Sequence, residues 1–474
     1  MVDETFKQQV DAYVDEVWED VVEDVRTLVR IESVEDLDAA EPGKPWGPKS
    51  NEALVAAEKI AERLGLEVTD VDGYLGFGDV PGASGPDAYV ATIAHTDIVP
   101  VGLGWQRPAL DVTRERGFLF GRGVLDDKGP FVLSLYAAHF FARAVAAGAT
   151  LPYTLRCIIG NNEETGMGDV PYYLERYPEP LFCFSPDADF PLICGEKGVY
   201  HGQFTSGPVA GGRLVSLDGG TVPNAICGQA TALVRGTVTE LPAAERVELS
   251  DAGDGLVRVV ATGVGGHASM PAGSVNAIGI LVRYLLGNGL CEEPQRPFLE
   301  LVRTLTEDTD GTAVGIAASD DKFGALTCVQ GTIRTVDGRF VQSVDSRYPT
   351  TTTGEAITAA MTALGEAHGC AYECLGDAEP FYISPDSEPI RALLSTYEEY
   401  TGREGKAYTI GGGTYARHFK RACAFGPHEP AEPEPDFVGM EHGPDEGVSE
   451  EHLRRALKVY IVSIARLMEL DLTA

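Results

Sequence analysis

Positive charge is scarce in this 474-residue chain: 37 Lys and Arg stand against 72 Asp and Glu, for a net charge of −35. An acid excess of that size repels phosphate backbones and anionic headgroups, which argues against nucleic acid and membrane surfaces as partners. Long apolar runs are missing too, since none reaches the roughly 18 residues of a membrane span. The opening residues, Met1-Val-Asp-Glu-Thr-Phe-Lys7, lack a basic segment followed by an apolar stretch and do not read as a secretory signal. Nine cysteines include no Cys-x-x-Cys pair, and Cys157, Cys183, Cys328 and Cys423 sit inside apolar runs, where reduced buried thiols are expected rather than a disulfide framework. A Gly-x-Ser-x-Gly elbow is also absent, which disfavours a serine hydrolase. Together these absences predict a soluble, cytoplasmic protein.

The chain is longer than one core normally organises, so two domains are expected. Apolar content of 44% with 55 Gly and 29 Pro fits a turn-rich globular protein. A first helix is predicted through about Val29, with Phe6, Val10, Val14, Val21, Val25 and Leu28 as its buried stripe.

Five acidic or histidine-bearing segments stand out: His95-Thr96-Asp97, Asp126-Asp127-Lys128-Gly129, Asn162-Glu163-Glu164-Thr165-Gly166, Ser185-Pro186-Asp187 and Glu441-His442-Gly443. Singly they mean little. A chain this acidic contains roughly ten adjacent acidic pairs by chance, and a charge run is usually a solvated face. Their placement carries the argument. Ala88 to Pro100 reads as a buried strand holding the first pair, Tyr153 to Ile159 as a second that stops before Glu163 and Glu164, and Lys128 to Gly148 as the helix between them. The runs Pro180 to Ser185 and Ala422 to Gly426 lead similarly toward Asp187 and His442. Sites in open α/β sheets form beyond the carboxyl ends of strands. Imidazole and carboxylate from distant segments are what a catalytic zinc or manganese site needs. The pattern implies a metallohydrolase.

With Gly121-Arg-Gly-Val-Leu-Asp-Asp-Lys-Gly129 and Ser185-Pro-Asp-Ala-Asp-Phe-Pro191, these segments resemble the M20 metallopeptidase family. Gly195-Glu-Lys-Gly198 and Gly411-Gly-Gly-Thr-Tyr-Ala-Arg417 are similar to its PepV-like bacterial dipeptidases. The resemblance implies an α/β, mixed-sheet catalytic domain with helices on both faces and an inserted α+β lid domain. It implies two divalent metal ions, Zn2+ first, with Mn2+ or Co2+ as alternatives. His95 and Asp187 would hold one and Glu164 and His442 the other, with Asp126 bridging both and joined to Asp127 by a cis peptide. Glu163, turned away from the metal, would be the general base, and Asp97 would accept a hydrogen bond from the far nitrogen of His95. The substrate would be a small unblocked peptide and the enzyme a monomer. His428 competes with His442 as a ligand; the run from Gly443 to Glu450 into the closing helix favours His442.

Four ligand segments precede residue 190 and the fifth lies near 442, so the catalytic domain is expected as 1–195 and 385–474, with 196–384 inserted. Strands at Leu256 to Gly263, Ala325 to Thr335 and Gln342 to Tyr348, an Asp337-Gly338 hairpin turn, and helices at Asn276 to Leu286 and Gly354 to His368 give the insertion an α+β pattern. His267, in Gly263-Val-Gly-Gly-His-Ala-Ser-Met-Pro271, would by the resemblance stabilise the oxyanion. Arg347 offers a fork for a substrate carboxylate, and Asn224 would also contact substrate, although its Val222-Pro-Asn-Ala225 setting departs from the order usual in the branch. The backbone around Gly412 and Thr414 would receive the same carboxylate, which favours dipeptides. An aminoacylase, carboxypeptidase or succinyl-diaminopimelate-type deacylase would keep the same metals. A catalytically silent binding protein would show a broken ligand set, and no ligand is missing.

Overall fold

The structure, a computed structural model, describes residues 2–209, 211–432 and 434–473. The chain forms two compact units. The first comprises Met1–Gly195, Tyr382–Tyr408 and Thr414–Ala474, and the second Glu196–Phe381 with Thr409–Gly413.

In the first unit, helix Glu4–Val29 starts at Asp3, whose carboxylate accepts the Phe6 N–H at 2.8 Å. Val10, Val14, Val21, Val25 and Leu28 are fully buried, each worth about 1.5–3 kcal/mol over exposure, while Phe6 is half-buried. This stripe packs on helices Lys128–Ala146 and Glu450–Met468. By length and composition Lys128–Ala146 would pass for a membrane span, although Lys128, His139 and Arg143 interrupt its apolar residues. Instead Phe131, Val132, Leu133, Leu135 and Ala138 are 0% exposed, as in a core helix. It ends at Ala146, and Gly148 follows with a φ of 98°, a conformation that suits a residue without Cβ.

The sheet of this unit runs Glu67–Val71, Leu75–Val80, Thr154–Gly160, Tyr89–His95, Phe182–Ser185, Ala422–Ala424 and Ile193–Glu196. Its four central strands, from Thr154–Gly160 to Ala422–Ala424, are parallel to one another, so their carboxyl ends share one edge. Tyr89–His95 is shorter than predicted. Thr96 sends both its N–H and its hydroxyl to the Gly160 carbonyl, at 3.0 and 3.1 Å, and Ile98 N–H goes to Ser33, which takes the chain out of the sheet at His95.

The second unit holds an antiparallel sheet ordered Val247–Gly253, Leu256–Thr262, Gln229–Arg235, Leu214–Gly219, Ile333–Val336, Arg339–Tyr348, Gly198–Thr205 and Ala371–Ala378. Asp337 and Gly338, with φ of 48° and 70°, turn Ile333–Val336 into Arg339–Tyr348, as a two-residue hairpin with positive φ does. The predicted strand Ala325 to Thr335 is broken into Gly324–Ala325, Thr327–Val329 and Ile333–Val336. Gly331 lies in the gap, where a Cβ would come within 2.2 Å of the Pro223 carbonyl oxygen. Besides Ala277–Gly287 and Gly354–Ala367, a third helix, Arg296–Leu305, buries Phe298, Leu299, Leu301, Val302 and Leu305. Its short span and the prolines at its start, Pro294 and Pro297, hide it from periodicity.

Candidate metal centre

His95 is the last residue of its strand, Glu163 and Glu164 follow Thr154–Gly160, and Asp187 follows Phe182–Ser185. Asp126 precedes helix Lys128–Ala146 and is joined to Asp127 by a cis peptide. His442, with a φ of 61°, comes from the loop before strand Gly447–Ser449.

The two oxygens of Asp126 face different imidazoles. Oδ1 is 3.1 Å from His95 Nε2, and Oδ2 is 2.9 Å from His442 Nε2. His95 Nε2 also lies 3.6 Å from Asp187 Oδ2, and His442 Nε2 lies 3.2 Å from Glu164 Oε2. Ligand-type atoms of His95, Asp126 and Glu164, and again of His95, Glu163 and Asp187, come within 4.8 Å of one another. Glu163 therefore lies among the ligand groups rather than turned clear of them.

The electrostatics ask for cations. Burial, then Asp187, push Glu163 well above the carboxylate range; burial, then Asp126, raise Asp187 and bring Glu164 up to about 7. His442 is lifted to about 11 by its hydrogen bonds to Asp126 and Glu164. Burial opposes charge on His95, but Asp126, Asp187 and Asp97 outweigh it and raise that imidazole too. Burial opposes charge on Asp126, but His442 and His95 outweigh it and hold it below the usual carboxylate range; the other three carboxylates are drawn toward neutrality and the imidazoles toward positive charge, as in a site with too few cations. Glu164 Oε1 is buried without a hydrogen-bond partner, a costly state for a carboxylate oxygen. Imidazole and carboxylate donors, crowded together and one of them orphaned, fit divalent cations.

Asp97 holds more than the sequence suggests. Its backbone carbonyl is 3.0 Å from His95 Nδ1, while its carboxylate is 3.4 Å from that nitrogen. The carboxylate instead accepts the backbone N–H groups of Glu163, at 3.2 Å, and Glu164, at 3.1 Å. Tyr415 and Asp169 add to this clamp. The Tyr415 hydroxyl donates to Asp169 at 2.5 Å and accepts the Asn162 N–H at 3.2 Å, and Asp169 accepts the Asn161 N–H at 2.8 Å. A Cβ on Gly160 would lie 2.4 Å from the Tyr415 ring. Sequence reading missed both residues, and the only trace was Tyr415 within the triple-glycine motif. His428 pairs with Asp189 at 2.5 Å, whereas it is His442 that lies against Asp126 and Glu164.

In the second unit, His267 lies on the short strand Gly266–His267, paired with Ala225–Ile226, and the Asn224 carbonyl accepts the Ala268 N–H at 3.0 Å. Asn224 and His267 are thus neighbours. The Ser269 N–H donates to His267 Nδ1 at 3.2 Å, and the Ser269 hydroxyl lies 2.7 Å from it. A neutral ring that accepts at Nδ1 carries its proton on Nε2. Arg347 is gripped by Asp345, with Nε to Oδ1 at 2.9 Å and Nη2 to Oδ2 at 3.1 Å, and its Nη1 reaches the Gly411 carbonyl at 3.3 Å. A Cβ on Gly411 would strike Ser269 at 2.6 Å, whereas one on Gly412 would meet nothing closer than 3.6 Å. Gly411, rather than Gly412, is the glycine that packing demands. Thr414, in the first unit, caps the Tyr415–His418 turn by accepting the Ala416 N–H at 3.1 Å.

Carboxylates and imidazoles gathered beyond parallel strands define the site of a metal-dependent hydrolase. Residues 91–466 match the model of peptidase family M20/M25/M40. The chain belongs to that family and is a metal-dependent peptidase. It is 29% identical to YtjP of Bacillus subtilis (strain 168), the match covering 95% of this chain and 97% of that one. It is also 29% identical to the Beta-Ala-Xaa dipeptidase of Lactobacillus delbrueckii subsp. lactis, over 98% and 99% of the two chains. Among solved structures, human carnosine dipeptidase 1 shares the fold, with a TM-score of 0.63 at 14% identity over 98% of this chain and 99% of that one.

Proposed function

We propose that this chain is a dipeptidase that hydrolyses the peptide bond of unblocked dipeptides at a centre of two divalent cations, zinc before manganese or cobalt, and that it works as a monomer. The observation that carries the reading is Asp126, whose two oxygens each face a different imidazole. End-to-end similarity to a Beta-Ala-Xaa dipeptidase supports the substrate class.

In this reading His95 and Asp187 would hold one cation, Glu164 and His442 the other, and Asp126 would serve both. Bound there, the cations supply Lewis acidity for a peptide carbonyl and an attacking water. Glu163 takes the proton of that water on its carboxylate and passes it to the leaving amine. Asp97 keeps this group in place through the Glu163 N–H. His267 offers Nε2–H to the developing oxyanion. Arg347, its orientation preset by Asp345, takes the substrate carboxylate, with Asn224 and the backbone of Gly412 and Thr414 as further contacts. The test is turnover of the zinc- or manganese-reconstituted protein on dipeptides, tripeptides and N-acyl amino acids. Dipeptides should be the best substrates, and preference for N-acyl amino acids would overturn the assignment.

A further inference from the structure

Behind the proposed centre lies a buried ion pair that touches neither substrate nor ligand atoms. Glu446 is 0% exposed and Arg122 is 1% exposed, with Arg122 Nη1 donating to Glu446 Oε2 at 2.5 Å. The other oxygen of Glu446 accepts three backbone N–H groups: Gly123 and Leu125 at 3.0 Å and Asp126 at 3.2 Å. One carboxylate oxygen thus gathers the turn that ends in the bridging aspartate. Arg122 reaches the other way, its Nη2 donating at 3.3 Å to the carbonyls of Val101 and Gly443. Gly443 follows His442, the ligand on the far side of Asp126. The same loop is held by Asp445, which accepts the N–H groups of Gln106 and Arg107, each at 3.0 Å.

A buried ion pair is poor evidence for stability, because an apolar pair of similar volume often serves folding as well or better. An apolar pair cannot collect three converging N–H groups and bind the carbonyl next to a ligand. We propose that Glu446 and Arg122 are positioning residues for the metal centre, tying the Asp126 turn to the His442 loop and so setting the distance between the two cation sites. The inference rests on the two-cation reading above.

The test uses the full chain, stripped with a chelator and titrated with Co2+, read by calorimetry, by the visible Co2+ spectrum and by thermal unfolding. In Arg122→Lys, a single ammonium group cannot serve Glu446, Val101 and Gly443 together. The weaker of the two binding steps should fall about 10–100-fold, as loss of a group that orients ligands does, and the Co2+ bands should shift while the tighter step is retained. The paired variant Arg122→Met with Glu446→Leu removes both charges at once, so no lone charge is left buried, and should show the same loss of the weaker step, which separates positioning from charge balance. Parental affinities and spectrum in Arg122→Lys would overturn the proposal, even if the paired variant failed to fold. Uptake of a single Co2+ by the parent would overturn the two-cation reading itself, and this inference with it.

Discussion

The carboxylate of Glu164 lies 3.2 Å from the imidazole of His442, whereas Glu163, its neighbour in sequence, groups with His95 and Asp187. The two residues should therefore fail differently. Glu163→Gln should keep nearly full metal content, by elemental analysis, and lose most turnover. Glu164→Gln should lose metal. The reverse pattern would exchange their roles.

His267 is exposed, and Ser269 holds its ring in the form that carries the proton on Nε2. His267→Ala should lower kcat by about a hundredfold or more, the usual cost of an oxyanion donor, with metal content unchanged. Turnover close to the parent's would remove His267 from the reaction.

Asp345 is fully buried, and burial opposes its charge, but His201 and Arg347 more than offset this and hold it below the usual carboxylate range. The Arg347 fork is thus oriented before any substrate arrives. Amidating the carboxyl end of a good dipeptide should raise the barrier by about 2–5 kcal/mol, as loss of one partner of a buried charge pair does. The penalty should shrink in Arg347→Met, measured as kcat/KM. An equal penalty in both proteins would place the carboxylate elsewhere.

A pH test lies outside the centre, at Glu58 on helix Pro48–Arg63. Its Oε1 is buried without a partner, and burial followed by Asp70 raises the carboxyl to about 8. Between the unfolded value of 4.5 and that folded value, the native state holds more protons than the unfolded one. Stability from this group therefore falls as pH rises through the window. Glu58→Gln removes the dependence. Discounted for partial exposure, its unfolding temperature should gain about 2–4 °C on the parent between about pH 4.5 and pH 8.5. A constant difference across that range would refute the argument.

The ligand segments were legible because strand ends are local facts: an apolar run stops, and the polar residues after it lie at a sheet edge. The Asp337-Gly338 hairpin and the first helix were legible for the same reason. The break at Gly331 was not, since it depends on the carbonyl of Pro223, more than a hundred residues away in the chain. Helix Arg296–Leu305 escaped because a short apolar pattern that opens on prolines fits a loop as well as a helix.

The sequence by itself determined the class of chemistry, through residue types that bind cations placed after strands that share a direction. Only the tertiary structure decided which of 72 acidic residues do something besides stay in water. Glu446 and Asp169 look in sequence like any other acid. They differ because folding takes them out of water and brings N–H donors from other segments onto their oxygens. An acid's role is set by the donors that converge on it, and that convergence is a property of three dimensions.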